Sequence, residues 1–287
     1  MESYDSVYYL ARKRLHEAGV VASALEARLI VAFATGKTRE DLISSGKKLL
    51  TDLKIRKAID EMVSRRIEGE PVAYIVGEWE FYGIPLIISK AVLIPRVDTE
   101  ILTAEAIRLL RQLGRKTRLL DLCAGSGCIG LAVAANVPDC RVVFADNSES
   151  ALAVCRANML KSRLSKMGIA VRTDALANPP EILGEFDMIV CNPPYIPTAD
   201  ICKLDKSVTD YEPLSALDGG AEGTDFFKAV ARNWRDVLTE GGHLAFECGA
   251  GQAESLCEIM NDCGYTGVCT FPDTLNIERV VIGTKNM

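Results

Sequence analysis

Arg118-Leu119-Leu120-Asp121-Leu122-Cys123-Ala124-Gly125-Ser126-Gly127-Cys128-Ile129-Gly130 is the stretch that decides the fold. Its first six residues make an apolar strand candidate, its glycines form a turn, and an Ala-rich helix follows over residues 129–136. Such a turn lets backbone approach a ligand, and the helix start offers free N–H groups beside it. Working outward, strands are expected at 141–145, 169–173 and 186–191, with a helix from about Ser148 to Lys161 between the first two. After a long loop come a helix at 225–238, a strand at 243–248, a helix at 252–263 and two strands, 266–271 and 277–284. Strands alternating with helices from Pro95 onward predict an α/β parallel sheet with crossovers. The last two strands are joined too briefly for a helical crossover, so they must pair antiparallel.

Upstream the period changes. Val7, Ala11 and Leu15 repeat at helical spacing before Gly19, Leu25, Leu29 and Phe33 before Gly36, and Ile55, Ile59, Met62 and Val63 after the cap candidates Thr51 and Asp52. Residues 1–76 therefore read as a small helical bundle. Glu70-Pro71 breaks the pattern, and 77–95 reads as a β-hairpin linker, leaving 96–287 for the α/β domain.

The 287 residues, 48% of them hydrophobic, suit two domains. No apolar run approaches the ~20 residues that span a bilayer, and the N-terminus lacks a basic region followed by an apolar stretch, so a cytoplasmic protein is expected. Ten cysteines, several in apolar runs (Cys191, Cys248, Cys269), read as reduced and mostly buried thiols. With only His16 and His243 and no Cys-x-x-Cys pair, no metal site is expected. Residues 1–80 carry 13 basic and 13 acidic side chains, and 81–287 carry 20 and 26. An acidic second half argues against a large nucleic-acid footprint.

Gly125, Gly127 and Gly130 also satisfy a dinucleotide fingerprint, with Asp146 near the distance of a ribose-binding acid, so a nicotinamide dehydrogenase is a rival reading. Asp121 separates the two. A carboxylate at that strand end repels a pyrophosphate and attracts the ammonium of S-adenosylmethionine. Asp146, ending the second strand, can accept both ribose hydroxyls; its bland alternative is a helix cap, a role that Asn147 or Ser148 fills as well. Asp174-Ala175, after the third strand, falls where adenine would lie, although a lone Asp there is commonly a turn residue.

Asn192-Pro193-Pro194-Tyr195 follows the fourth strand and carries the most specific signal. A rigid turn alone needs no such sequence. An amide nitrogen is a poor nucleophile because its lone pair is delocalised, so it must be held by acceptors and aimed at the sulfonium methyl. Asn192 Oδ1 and the Pro193 carbonyl can be those acceptors, neither proline nitrogen can donate and compete, and Tyr195 offers a flat face for a planar group. By itself the tetrapeptide equally suits an adenine N6 in DNA or RNA.

With these motifs in place, the chain closely resembles the protein-(glutamine-N5) methyltransferases of peptide chain release factors, the PrmC or HemK family. The resemblance extends over Gly69-Glu70-Pro71-Val72-Ala73-Tyr74-Ile75-Val76-Gly77, Trp79-Glu80-Phe81-Tyr82-Gly83, Leu93-Ile94-Pro95-Arg96, Asp98-Thr99-Glu100, Tyr211-Glu212-Pro213 and Glu247-Cys248-Gly249. It implies a seven-stranded Rossmann-like S-adenosylmethionine methyltransferase domain with its last strand antiparallel, a helical N-terminal domain that helps dock a release factor, and a hairpin linker. It further implies a cofactor loop of Cys123, Ala124, Gly125, Ser126 and Gly127 and ribose recognition by Asp146; Asp121, Asp174, Ala175 and Asn192 are expected at the cofactor from their places at the strand ends. A Gly-Gly-Gln glutamine would meet Asn192, Pro193, Pro194 and Tyr195, with S-adenosylhomocysteine as product. No metal, membrane or nucleic acid is required, and a monomer is expected. A non-catalytic translation-associated module is the alternative from another class.

Three residues depart from the family pattern: Val97 where proline is usual, Ala175 where some members place an aromatic, and Cys123 for glycine. Asp98 and Glu100 read as cap and dipole partners of a helix from Ile101 onward, Glu247 as a structural carboxylate, and Trp79, Phe81 and Tyr82 as hairpin core.

Overall fold

The computed structural model describes residues 2–286, which fall into two units, one running to Glu78 and including Lys206–Tyr211, the other comprising Trp79–Asp205 and the chain from Glu212 onward. In the first unit β1 (Glu2–Ser3) pairs with β2 (Leu49–Leu50) beside five helices: α1 (Tyr4–Glu17), α2 (Ser23–Thr35), α3 (Arg39–Ser45), α4 (Leu53–Ile67) and α5 (Val72–Val76). Ser3 caps α1, which buries Val7, Ala11 and Leu15, and Asp52 caps α4, which buries Ile59 and Val63. The stripe expected for α2 is wrong. Leu25 and Phe33 are exposed, and the buried face runs through Ala27, Ile30 and Val31. Ala27, Ile30 and Val31, spaced by three, four and one, form the face that α2 turns to α1 and α4. The short α3, held by a Thr38–Asp41 capping box, and α5, opened by Pro71 where a simple break is expected, were not anticipated.

The second unit begins within β3 (Glu78–Phe81), which forms a hairpin with β4 (Ile84–Ile87) about Tyr82-Gly83, both at positive φ as a two-residue turn of this hand requires. Phe81 is buried, whereas Trp79 and Tyr82 are half-buried, and Glu100 Oε1 accepts the Tyr82 N–H at 3.1 Å. Glu100 therefore pins the turn as well as entering the next helix, α6 (Thr99–Gln112).

Seven strands follow: β5 (Thr117–Leu122), β6 (Cys140–Asp146), β7 (Gly168–Arg172), β8 (Phe186–Cys191), β9 (Leu238–Glu247), β10 (Tyr265–Pro272) and β11 (Glu278–Lys285). Their order is β10-β11-β9-β8-β5-β6-β7, with β11 antiparallel to both neighbours and β9, β8, β5, β6 and β7 mutually parallel. The crossovers carry α7 (Cys128–Asn136), α8 (Glu149–Lys161), α10 (Asp225–Asn233) and α11 (Ala253–Asp262), while α9 (Lys206–Thr209) belongs to the first unit. Every residue of β8 is buried, as a central strand covered on both faces demands. Leu120, Leu122, Ile189, Cys191, Leu244 and Phe246 pack with Phe227, Trp234, Leu256 and Met260 of α10, α11 and the turn between, where Phe227 meets Phe246 edge-on at 5.3 Å. The cysteines are free, but Cys269, expected inside the apolar strand, is exposed because it lies on the solvent side of the edge strand β10.

Asn158 of α8, fully buried, ties the hairpin to the glycine loop. Its Oδ1 accepts from Ile87 N at 2.6 Å, and its Nδ2 donates to the carbonyls of Ile87 and Ser126 at 3.0 Å each. Asn158→Ala strands those backbone groups, so a loss of about 2–4 kcal/mol is expected. Urea unfolding reads it directly, and an unchanged midpoint would contradict the linking role.

Candidate functional site

The parallel strands β5, β6 and β8 end together, and the turns leaving them enclose a cleft of about 890 Å³ including its mouth. Cys123, Gly125 and Gly127 carry the first turn at φ of 61°, 52° and 78°, a region costly for any side chain and adopted by Cys123 nonetheless. Asp146, ending β6, accepts from Gly125 N at 2.8 Å and from Ser148 N at 2.9 Å. Ser148, not Asp146, caps α8, accepting from Ala151 N at 3.2 Å. Burial raises the Asp146 pKa against those hydrogen bonds.

Of the residues assigned to the cofactor, Cys123, Ala124, Gly125, Ser126, Asp146, Ala175 and Asn192 line this cleft. Gly127 lies behind it as the N-cap of α7. Asp174 is exposed and closes a local turn onto Leu176 N at 2.9 Å, whereas Ala175 is buried, its carbonyl accepting from Trp234 Nε1 at 2.9 Å. Asp121 lies beneath the loop, 1% exposed. Its Oδ2 accepts from Gly130 N at 2.9 Å and its Oδ1 has no hydrogen-bond partner among the described residues. Burial pushes its carboxyl up to about 8, opposed by the Gly130 bond and reinforced by Asp146.

On the β8 side, Asn192 and Pro194 line the cleft, Pro193 is buried and Tyr195 half-buried. Asn192 Nδ2 donates to Thr99 Oγ1 at 3.3 Å. The following loop braces the tetrapeptide: Ile196 N donates to Leu217 O, Gly219 N to Ile196 O, and a Cβ at Gly219 would stand 2.7 Å from Tyr195 Cα. Gln252 ties the Tyr195 carbonyl (2.9 Å) to Gly249 N (2.9 Å). Burial raises the Tyr195 hydroxyl pKa, with the nearby Glu247 acting in the same sense.

Two stretches singled out separately in the sequence meet here. Glu212, buried, accepts from Ile94 N at 3.1 Å and pairs with Arg96, so Pro95-Arg96 and Pro213 share one wall of the cleft. Asp98 makes no side-chain cap to α6 because its own backbone is already helical; it faces Arg279 at 3.5 Å instead. Thr99, Gln252 and Glu247 were not singled out as functional. Glu247 is 3% exposed, and burial raises its pKa to about 7 against hydrogen bonds from Thr99 and Asn192.

Asp121 and Glu247 keep their protons in the folded protein over a range where the unfolded chain has lost them. The folded state then binds more protons, so stability should fall as pH rises from about 5 toward 7 and 8, by roughly 1.4 kcal/mol per pH unit per such group. Urea unfolding of the cofactor-free protein between those limits should show that slope, reduced in Asp121→Asn. A flat profile would refute it.

Asp146 lines the cleft beside the glycine loop and raises the proton affinity of Asp121 beneath it, and a carboxylate at the place of Asp146 favours a cationic ligand over a pyrophosphate. Asp146, the loop N–H groups and the apolar wall at Ala175 suit a nucleoside with a positively charged tail. A solved methyltransferase from Pyrococcus furiosus shares the fold at a TM-score of 0.52 and 17% identity, over 79% of this chain and all of that one. Residues 100–204 match the family model described as methyltransferase small domain, and residues 8–77 the one described as PrmC N-terminal domain. Fold and site together define an S-adenosylmethionine-dependent methyltransferase.

The relatives narrow the class. A release factor glutamine methyltransferase of Geobacter sulfurreducens is 37% identical over 95% of this chain and 93% of its own, and one of Salmonella typhimurium 38% identical over 90% and 91%. The chain belongs to the family of release factor glutamine methyltransferases. No helix among the described residues is long and apolar enough to cross a membrane.

Proposed function

We propose that the protein transfers a methyl group to the side-chain amide nitrogen of the glutamine in the Gly-Gly-Gln motif of a peptide chain release factor. The observation that carries this reading is the placement of Asn192 and Pro194 in the same cleft wall as Asp146 and Gly125, at the C-terminal ends of adjacent strands. S-adenosylmethionine supplies an electrophilic methyl on a sulfonium. Asp146 would hold the ribose hydroxyls, Ala175 and the turn at Asp174 would border the adenine, and the Cys123–Gly127 backbone, backed by Asp121, would face the amino-acid end. Asn192 Oδ1 and the Pro193 carbonyl would accept the two N–H bonds of the glutamine amide, with Tyr195 against its plane. No base is required beforehand, since the nitrogen becomes acidic only as it gains the methyl.

The helical region, residues 1–76, is assigned to docking the protein substrate, 77–95 to the linker and 96–287 to chemistry, in a cytoplasmic monomer. Incubation with a release factor and isotopically labelled cofactor, followed by peptide mapping, is expected to place the label on the Gly-Gly-Gln glutamine. Label confined to any other residue, or to nucleic acid, would overturn the substrate.

A further inference from the structure

The amide of Asn192 has two ends that differ only in what they can do: the oxygen accepts, the nitrogen donates. Only the oxygen can grip a substrate N–H, so the group must be held in one of its two flips. The register of the sheet shows how. Cys191 of β8 lies opposite Phe246 of β9, so the next residues, Asn192 just past β8 and Glu247 at the end of β9, come side by side. Thr99, at the first turn of α6 and 2% exposed, completes the group. Asn192 Nδ2 donates to Thr99 Oγ1 at 3.3 Å, and the Thr99 hydroxyl and the Asn192 side chain both stand near enough to the Glu247 carboxyl to favour its charged form, while its Oε2 has no hydrogen-bond partner among the described residues.

A carboxylate accepts and never donates, so the end of Asn192 that faces it must be the NH2 group. The reverse flip would set the amide oxygen against the carboxylate and turn the NH2 group toward the substrate's own N–H bonds, leaving both without acceptors. We propose that Glu247, with Thr99, is a positioning residue that fixes the flip of Asn192 and so presents Oδ1 to the glutamine amide. The inference rests on the reading of Asn192 as the amide-gripping residue.

The device depends on Glu247 being ionised, because a neutral acid can donate and so support the wrong flip. Asp98 before α6, Tyr195 after β8, Cys128 on α7 and Cys248 beside it disfavour or feel the charge, while Arg279 on β11, shared with Asp98 and Asp273, supports it. The turnover rate should therefore rise with pH through the neutral range. Glu247→Gln mimics the neutral acid at nearly the same volume.

The test compares Glu247→Gln, Asn192→Ala and the double variant on the full chain with a release factor as substrate. In Glu247→Gln kcat is expected to fall roughly 10- to 100-fold and to lose its rise through neutral pH, while cofactor affinity by calorimetry stays within about two-fold. In the Asn192→Ala background the same change should cost less than about two-fold, since the residue acts through Asn192. A kcat within about two-fold of wild type for Glu247→Gln, full multiplicativity of the two changes, or a matching loss of cofactor affinity overturns the proposal. If Asn192→Ala itself leaves kcat intact, the reading of the site falls with it, which is a distinguishable result. Should Glu247→Gln not fold, Thr99→Val, which removes the hydroxyl between the two groups, carries the same comparison.

Discussion

Asn192→Ala is expected to lower the rate of glutamine methylation by roughly 10²- to 10³-fold, with most of the loss in kcat. The side chain lines the cleft at the end of β8, and its oxygen is the only side-chain acceptor that the tetrapeptide Asn192–Tyr195 offers apart from the Tyr195 hydroxyl. An amide nitrogen bound without that acceptor keeps its resonance and its rotational freedom, so the penalty falls on the transition state rather than on docking. KM should change little, because the release factor would be held mainly elsewhere. Truncation also removes the hydrogen-bond donor to the buried Thr99 hydroxyl, at a cost of about 1–3 kcal/mol in stability. Single-turnover measurement with labelled cofactor at saturating enzyme separates the effects. A rate within tenfold of wild type, in a variant that still binds cofactor, would mean that the amide is held by other groups.

The catalytic fold is legible from sequence because its signals are local. β8 is apolar at nearly every position, the glycine turn marks the end of β5, and a connection of five residues between β10 and β11 leaves no room for a helix. The same holds for where Asp146 and Asn192 stand, since the last residue of a parallel strand, as Asp146 is, and the first beyond it, as Asn192 is, lie at the ligand-binding edge of the sheet. Partners are another matter. Arg96 and Glu212, or Gln252 and Tyr195, are far apart in the chain, and neither spacing nor composition pairs them. Glu247 shows the limit best: an acid at a strand end looks structural until the β8–β9 register sets it beside Asn192. In the helical unit the reading failed where elements were short, as in α3 and α5, and where a helix carries apolar residues on more than one face, as α2 does with Leu25 and Phe33 beside the buried Ala27–Ile30–Val31 face. Asp121 illustrates a subtler gap. Sequence places it at the end of β5, but only the structure shows that it faces Gly130 rather than the open cleft.

That contact leads to the second large effect, expected for Gly130→Ala. Gly130 sits inside α7, where alanine is normally the better helix former by about 1 kcal/mol, so propensity alone would make the substitution stabilising. Packing reverses the sign. A Cβ there would run into the Phe144 ring and come within 2.8 Å of Val142 Cγ1 and 2.9 Å of Asp121 Oδ2. Phe144 and Val142 belong to β6, paired on both sides within the sheet, and are buried, so neither can swing aside, and α7 must instead lift from the sheet. Lifting breaks the Gly130 N to Asp121 hydrogen bond, the one that the buried carboxyl makes, and drags the glycine loop with it. Overpacking and the lost hydrogen bond together amount to about 3–5 kcal/mol, and should lower Tm by roughly 10 °C. Because the helix start carries the loop that lines the cleft, and the cleft is the proposed cofactor site, affinity for S-adenosylmethionine should fall in the same variant. Asp121→Asn in the wild-type backbone keeps the packing and replaces only the carboxyl, so it should lose less stability. Equal losses in the two variants would show that the carboxyl, rather than the approach of α7 to β6, dominates at this position.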